Sequence, residues 1–272
     1  MPPRASQNPD TPIAPRQYLL ALAGSAYPAS VALLDCGAGA EQAAFQVFAG
    51  QTGEQLLVAV AQWVDTWGVP AYLALDVGPG SFTGLRMGLG LAQGLALAWG
   101  RTVLAASSAQ IMASWIPWDH PWQQVITLRD ARMGAVYLGE HRPGSLTSCT
   151  PEPVIEVDPQ EAVERIRAAQ GQGSGIACVV DKALVPVLQR LCHVPGAAEP
   201  CDHAGDALGE ALGVSRLLLR AADSAQLARL ASARIAAGDF GMHPTALKPF
   251  YVRNDVAMDL AAQRAYRLAK AS

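Results

Sequence analysis

The sequence predicts an α/β protein folded in two lobes. Three apolar runs around short Gly/Ser/Pro turns are followed by helix, strand and helix, and a proline break at "PWDHPW" precedes a second series of strands and helices. The chain is 272 residues long, enough for one two-lobed domain or two small ones. Its composition is 51% hydrophobic and 16% charged, against a usual charged share of about 25%, so much apolar surface must be buried within the chain or against a partner.

Residues 1–16, "MPPRASQNPDTPIAPR", hold five prolines and no apolar period and predict a disordered leader. "YLLALAG", "SVALLD" and "AAFQVFAG" then read as a three-stranded meander. In "EQLLVAVAQWVDTWG", Leu57, Val60, Val64 and Trp67 recur at helical spacing, with Gly68 as a stop. "AYLALDVG" reads as a buried strand, and a helix follows from about Thr83 to Trp99. "RTVLAAS" predicts a strand and "AQIMASWI" a helix, completing a first lobe over 17–116. A second lobe over 117–220 opens on "QVITLRDARMGAVYLGEHR", a hairpin with "DARMG" at its turn. It continues through a helix at "PQEAVERIRAAQ", a strand at "IACVVD" and a helix at "DKALVPVLQRLC". Residues 221–257 supply a late helix, "SAQLARLASARIAAG", and an aromatic tail expected to pack back on the lobes, with 258–272 as a flexible end. No internal repeat is legible.

A net charge of -3 offers no global basic field for nucleic acid. Five cysteines without a CxxC pair, and no signal-peptide pattern at the start, predict a reduced, cytoplasmic setting. Cys192, His193, Cys201 and His203 cluster in sequence but match no zinc spacing, so no metal is expected. The apolar run from Leu85 to Trp99 is short of the roughly 20 residues that span a bilayer.

The chemistry concentrates in "DVGPGSFTGLRMGLGLAQGLALAWG", from Asp76 to Gly100, where Asp76 and Arg86 are the only formal charges. Gly78, Gly80 and Gly84 miss the dinucleotide fingerprint by one residue, and no acidic residue follows at the required distance. A Walker A loop would need Lys and then Ser or Thr where Leu85 and Arg86 stand. Ser81 lacks the GxSxG frame of a nucleophile elbow. Two readings remain open for Ser81 and Thr83: they cap the helix, or with the backbone of Gly78 and Gly80 they offer an anion site at its N-terminus. Arg86 opposes the helix dipole and needs a carboxylate, a partner or a phosphate. Further along, Gly84, Gly88, Ala92 and Ala96 make a stripe of small side chains suited to close approach, either to this chain's own sheet or to a helix of another chain.

"GPGSFTGLRMG" (78–88), "DARMGAVY" (130–137) and "YVRNDVA" (251–257) resemble, in order and spacing, three segments of the TsaB family, also called YeaZ-like. The resemblance spans about 18–257. It implies a fold of the actin, sugar-kinase and Hsp70 (ASKHA) type, with two α/β lobes and a mixed five-stranded sheet in the first. It implies a non-catalytic subunit that pairs with TsaD for N6-threonylcarbamoylation of the adenosine 3′ to the anticodon in tRNA, together with the ATPase TsaE. No cofactor of its own is implied, with an adenine nucleotide expected only at the interface of the complex, and tRNA is at most an indirect partner. The partner interface is expected at Leu57, Val60, Val64 and Trp67 on one helix and Gly84, Gly88, Ala92 and Ala96 on the next. Asp130, Arg132, Tyr251 and Arg253 are lesser candidates, for which an ordinary hairpin turn and tail packing are equally open. Where the larger fold family carries an acidic residue at the end of the first strand, this chain has Ala23, Gly24 and Ser25. An autonomous ATP-binding enzyme and a homodimeric regulator are the competing readings.

Overall fold

The computed structural model describes residues 17–252, except 27, 38–41, 49–52, 118–121, 143, 148–151, 171–174 and 195–201. The leader, Arg253 and the end of the chain lie outside the described residues.

The three runs of the meander form β1 (Tyr18–Ala23), β2 (Ala29–Asp35) and β3 (Gln42–Phe48). They are followed by α1 (Gly53–Trp67), β4 (Tyr72–Asp76), α2 (Phe82–Trp99), β5 (Val103–Ala106) and α3 (Ser108–Ala113). Antiparallel pairing of β1 with β2 and β2 with β3, and parallel pairing of β1 with β4 and β4 with β5, gives one sheet in the order β3-β2-β1-β4-β5.

The second series begins with β6 (Trp122–Arg132), β7 (Ala135–His141) and β8 (Val154–Val157), then α4 (Pro159–Gln170) and β9 (Gly175–Val180). It ends with α5 (Val185–Leu191), α6 (Asp202–Leu212), β10 (Arg216–Leu219) and α7 (Ser224–Ala236). Here β6 pairs antiparallel with β7 and β7 with β8, while β6 and β9, and β9 and β10, run parallel. The resulting order, β8-β7-β6-β9-β10, repeats the first sheet strand for strand. The sequence shows no repeat, yet the architecture is built twice, because a sheet's topology needs only the apolar pattern of its strands and not their identities. β8, α6 and β10 have no counterpart in the sequence reading. β8 and β10 are four residues each, too short for a period to declare itself.

Each face of the first sheet has its own cover. Leu20, Leu22, Val31, Leu33, Leu73 and Leu75 point toward α1 and α2, where Leu56, Val60, Ala92 and Ala96 meet them. Leu19, Ala21, Ala32, Leu34 and Ala74 point the other way, onto α3 and α7. α7 lies across β1, β2 and β4, whereas α3 lies against β6, β7 and β9. Each lobe thus lends its closing helix to the other's sheet. Val125, Ala177 and Val179 of the second sheet share one continuous core with the first. The second sheet's outer face is closed by α4, α5 and α6 through Val163, Ile166, Leu188 and Leu208. Among the described residues no helix is long and apolar enough to cross a membrane.

Candidate functional site

The parallel strands of the first sheet end beside the second sheet, and the polar residues collect there. Asp76, the last residue of β4, is only 1% exposed. One carboxylate oxygen accepts from the Ser108 hydroxyl at 2.7 Å and from the Gly78 N–H at 2.9 Å, and the other accepts from the Ser25 hydroxyl. A buried carboxylate is tolerated only when so satisfied. From the second sheet, Arg129 of β6 reaches across; its Nη1 donates to Ser25 Oγ at 2.9 Å and to the carbonyl of Pro79 at 2.7 Å.

The glycine-rich turn is laid on this cluster. Ser81 N donates to Ser25 O at 2.8 Å, Ser108 N to Gly78 O at 2.7 Å and Phe250 N to Val77 O at 2.7 Å. Gly78 has a φ of 100°, and a Cβ on Gly80 would stand 2.4 Å from Ser25 O and 2.9 Å from Arg129 Nη2. Both positions therefore require glycine. Ser81 is the N-cap of α2, its hydroxyl accepting from Gly84 N at 3.3 Å, so the capping reading describes it; Thr83 is exposed.

The turn opens on a cleft of about 570 Å³ between the lobes. Gly80, Ser81, Asp130, Arg132 and Tyr251 all line it, which brings three segments distant in sequence to one place. Arg86 finds an aromatic partner in place of a carboxylate: its guanidinium lies 3.9 Å from the centroid of the Phe82 ring, and its Nε donates to the Tyr251 hydroxyl at 3.4 Å. The Phe82 and Tyr251 rings stand 5.8 Å apart. In the β6–β7 turn Asp130 accepts from Arg132 N at 2.8 Å. Arg132, Met133 and Gly134 all have positive φ, at 65°, 56° and 82°. A side chain with a Cβ is strained there, and two such residues in succession at a cleft mark a position held by its surroundings.

The expected interface needs correction. Gly84, Gly88, Ala92 and Ala96 are all buried against this chain's own first sheet. A Cβ on Gly84 would stand 2.0 Å from the carbonyl oxygen of Gly24, and one on Gly88 would stand 3.5 Å from Leu75. The small stripe exists to let α2 approach β1 and β4. On α1, Val60 is buried and Val64 and Trp67 are partly buried in the same core, so only Leu57, 49% exposed, points outward. The outward side of α2 carries Gly90, Gly94, Leu97 and Ala98, with Leu97 58% exposed and open space above Gly90 and Gly94.

Four residues at the centre of the site, Ser25, Asp76, Ser108 and Arg129, are missing from the sequence-based candidates. Asp76 had a signal: a lone carboxylate ending an apolar strand. Ser25 had one only through the family resemblance, which puts an acidic residue near its place; Ser108 and Arg129 had none, because only the neighbouring ends of β4 and β5, with β6 reaching across, bring them to Asp76. Among the described residues no three His, Cys, Asp or Glu side chains group to hold a metal ion. Cys201 lies outside the described residues.

Known proteins resemble this chain in sequence and in fold. The family described as "TsaD: tRNA N6-adenosine threonylcarbamoyltransferase" matches residues 55–160. The tRNA threonylcarbamoyladenosine biosynthesis protein TsaB of Escherichia coli (strain K12) is 43% identical over 70 residues, 26% of this chain and 30% of that protein. The TsaB of Haemophilus influenzae is 43% identical over 68 residues, 25% of this chain and 29% of that protein. The aligned stretch thus spans under a third of these relatives' length. The structural likeness is longer. A protein from Pseudomonas aeruginosa, described as uncharacterized with similarity to peptidase YeaZ, is 26% identical with a TM-score of 0.61, over 87% of this chain and all of that one. YeaZ from the same organism superposes with a TM-score of 0.56 at 23% identity, over 85% of this chain and 99% of that one, a likeness of fold. Local sequence and chain-long architecture agree: the chain is similar to TsaB proteins over about a quarter of its length and to YeaZ-type structures over most of it.

Proposed function

We propose that this chain is the non-catalytic subunit that pairs with TsaD for N6-threonylcarbamoylation of the adenosine 3′ to the anticodon in tRNA. The observation that carries the reading is the match to TsaB proteins, supported by a likeness to YeaZ-type structures over nearly the whole chain. The doubled lobe topology supports an actin, sugar-kinase and Hsp70-type ancestry. The site supports a non-catalytic role. Asp76, the carboxylate nearest the end of β1 in this network, has its oxygens engaged by Ser25, Ser108 and Gly78 N–H, leaving it poorly placed to hold a metal and phosphate.

The partner surface in this proposal moves to the outward faces of α1 and α2, which pack side by side. Leu57, Gly90, Gly94, Leu97 and Ala98 form a nearly uncharged face there, where a second helix can approach closely. An adenine nucleotide at the joint interface and turnover supported by TsaE belong to the same proposal.

Light scattering behind size exclusion tests it on this chain, on TsaD of the same organism and on their mixture. The expected result is a one-to-one species that forms at the expense of any homodimer, and tRNA modification that requires both chains. Failure to associate at micromolar concentration, with adenine nucleotide and TsaE present, overturns the reading. Gly94→Leu, whose side chain enters open space, is expected to leave the fold intact and weaken association at least tenfold, since a leucine there holds the partner's backbone off.

A further inference from the structure

We propose that the cleft between the lobes is a binding site for a small oxyanion on an aromatic body, with Arg129 as the anion's anchor. The inference concerns this chain alone and does not rest on its pairing with TsaD.

Arg129 is 7% exposed, yet no carboxylate lies within 4 Å of it among the described residues. A guanidinium has five N–H donors. Nη1 donates twice, inward, to Ser25 Oγ and Pro79 O. Nε and Nη2 bond to none of the described residues, although the side chain lines the cleft. Asp76, which could have neutralised the charge, is turned to two hydroxyls and a backbone N–H. A buried cation so arranged is costly unless an anion completes it. Its free edge is the planar fork that pairs with carboxylate and phosphate oxygens through two parallel bonds.

The surroundings suit such an anion and give its class. Gly80 brings the turn against Nη2, and the N-terminus of α2, an 18-residue helix, opens on the cleft at Ser81 and Phe82. The acidic residues on the cleft wall are already engaged: Asp130 with Arg132, at 2.8 Å to its N–H and 3.8 Å to its Nε, and Asp181 with the Ala183 N–H at 3.1 Å. Phe82, Tyr137, Phe250 and Tyr251 supply ring surface, and a volume of about 570 Å³ is that of a small-molecule site. A bare inorganic ion would leave those rings unused.

The test is a titration of the isolated full chain with phenyl phosphate, benzoate, inorganic phosphate and acetate, at fixed ionic strength. The readout is the arginine Nε–H nuclear magnetic resonance signal of Arg129, assigned through its own backbone, together with calorimetry. The expected result is a saturable shift of that signal by the ring-bearing probes at concentrations well below those needed for inorganic phosphate or acetate. The preference between phenyl phosphate and benzoate then tells whether the natural head group is phosphate or carboxylate. Arg129→Lys keeps the charge and loses the fork, and is expected to weaken binding about tenfold or more. No saturable shift of the wild-type signal by any probe at millimolar concentration overturns the proposal, as does undiminished binding by folded Arg129→Lys. If that variant does not fold, the wild-type titration decides alone.

Discussion

Single side chains carry the sharpest consequences. Asp76 accepts from three buried donors at once, so Asp76→Ala takes that acceptor from Ser25, Ser108 and the Gly78 N–H; Ser108 can still donate to the Pro79 carbonyl, while the Gly78 N–H has no second acceptor among the described residues. At about 1 to 3 kcal/mol for an unsatisfied buried group, and with the two hydroxyls able to turn elsewhere, a loss of about 3 kcal/mol is expected in urea unfolding. A loss under about 0.5 kcal/mol, the level of an ordinary surface change, would mean that the cluster is not a structural unit. Glu152 gives the chain a pH dependence. Burial pushes its carboxyl up, but the hydrogen bond and charge of His141, 2.5 Å away, with Ser145 and Arg142, outweigh burial and hold it below its usual value. The folded state therefore binds this proton less tightly than the unfolded chain does. The stability it contributes is present above the unfolded value of about 4.3 and is lost as pH falls through the folded one. Glu152→Gln is accordingly expected to flatten the fall of unfolding free energy below about pH 4.3, and acid profiles that run parallel for the two proteins would remove the pair from that role.

Helix α2 shows what the sequence discloses about an element and what it withholds. Its extent, a capping hydroxyl at its start and its stripe of small residues follow from local pattern, and the structure has them, with Ser81 as the cap. The direction of the stripe does not follow, because two strips of small residues run along this helix, Gly84, Gly88, Ala92 and Ala96 on one side and Gly90, Gly94 and Ala98 on another. Which of them meets the sheet is decided by the Gly24 carbonyl oxygen, a backbone atom with no signature of its own. The site is legible to the same degree. The glycine-rich turn announces itself, and Arg129, inside an apolar strand, does not. The two strips make opposite predictions. Gly84→Ala puts a methyl into the Gly24 backbone and is expected to cost about 1 to 3 kcal/mol by overpacking. Gly90→Ala with Gly94→Ala fills open space and is expected to raise stability by roughly 1.5 to 2 kcal/mol through helix propensity alone. Denaturant melts of the isolated chain check both, and destabilisation by the outward pair would mean that this face already packs on something.

At the scale of the whole molecule, the exchange of closing helices matters most. The inner face of the first sheet, Leu19, Ala21, Ala32, Leu34 and Ala74, is covered by a helix that comes more than a hundred residues after α3, and α3 itself serves the second sheet. Arg234, 1% exposed, fastens the exchange: its Nη1 donates to the carbonyl of Ala105 in β5 at 2.7 Å, and its Nη2 pairs with Asp239 at 2.6 Å. A lobe cut from its neighbour thus loses the cover of one sheet face, and the exposed strand residues are too apolar to be left in water. The two lobes are expected to unfold in a single transition, with far-ultraviolet circular dichroism and tryptophan fluorescence coincident in urea. Expressed separately, 17–116 and 117–252 are expected to lack cooperative melts and to bind a hydrophobic dye, and mixing them is expected to restore the native spectrum. A cooperative melt of 17–116 alone would show that its sheet needs no second lobe, and the exchanged helices would then be ornament to two independent domains.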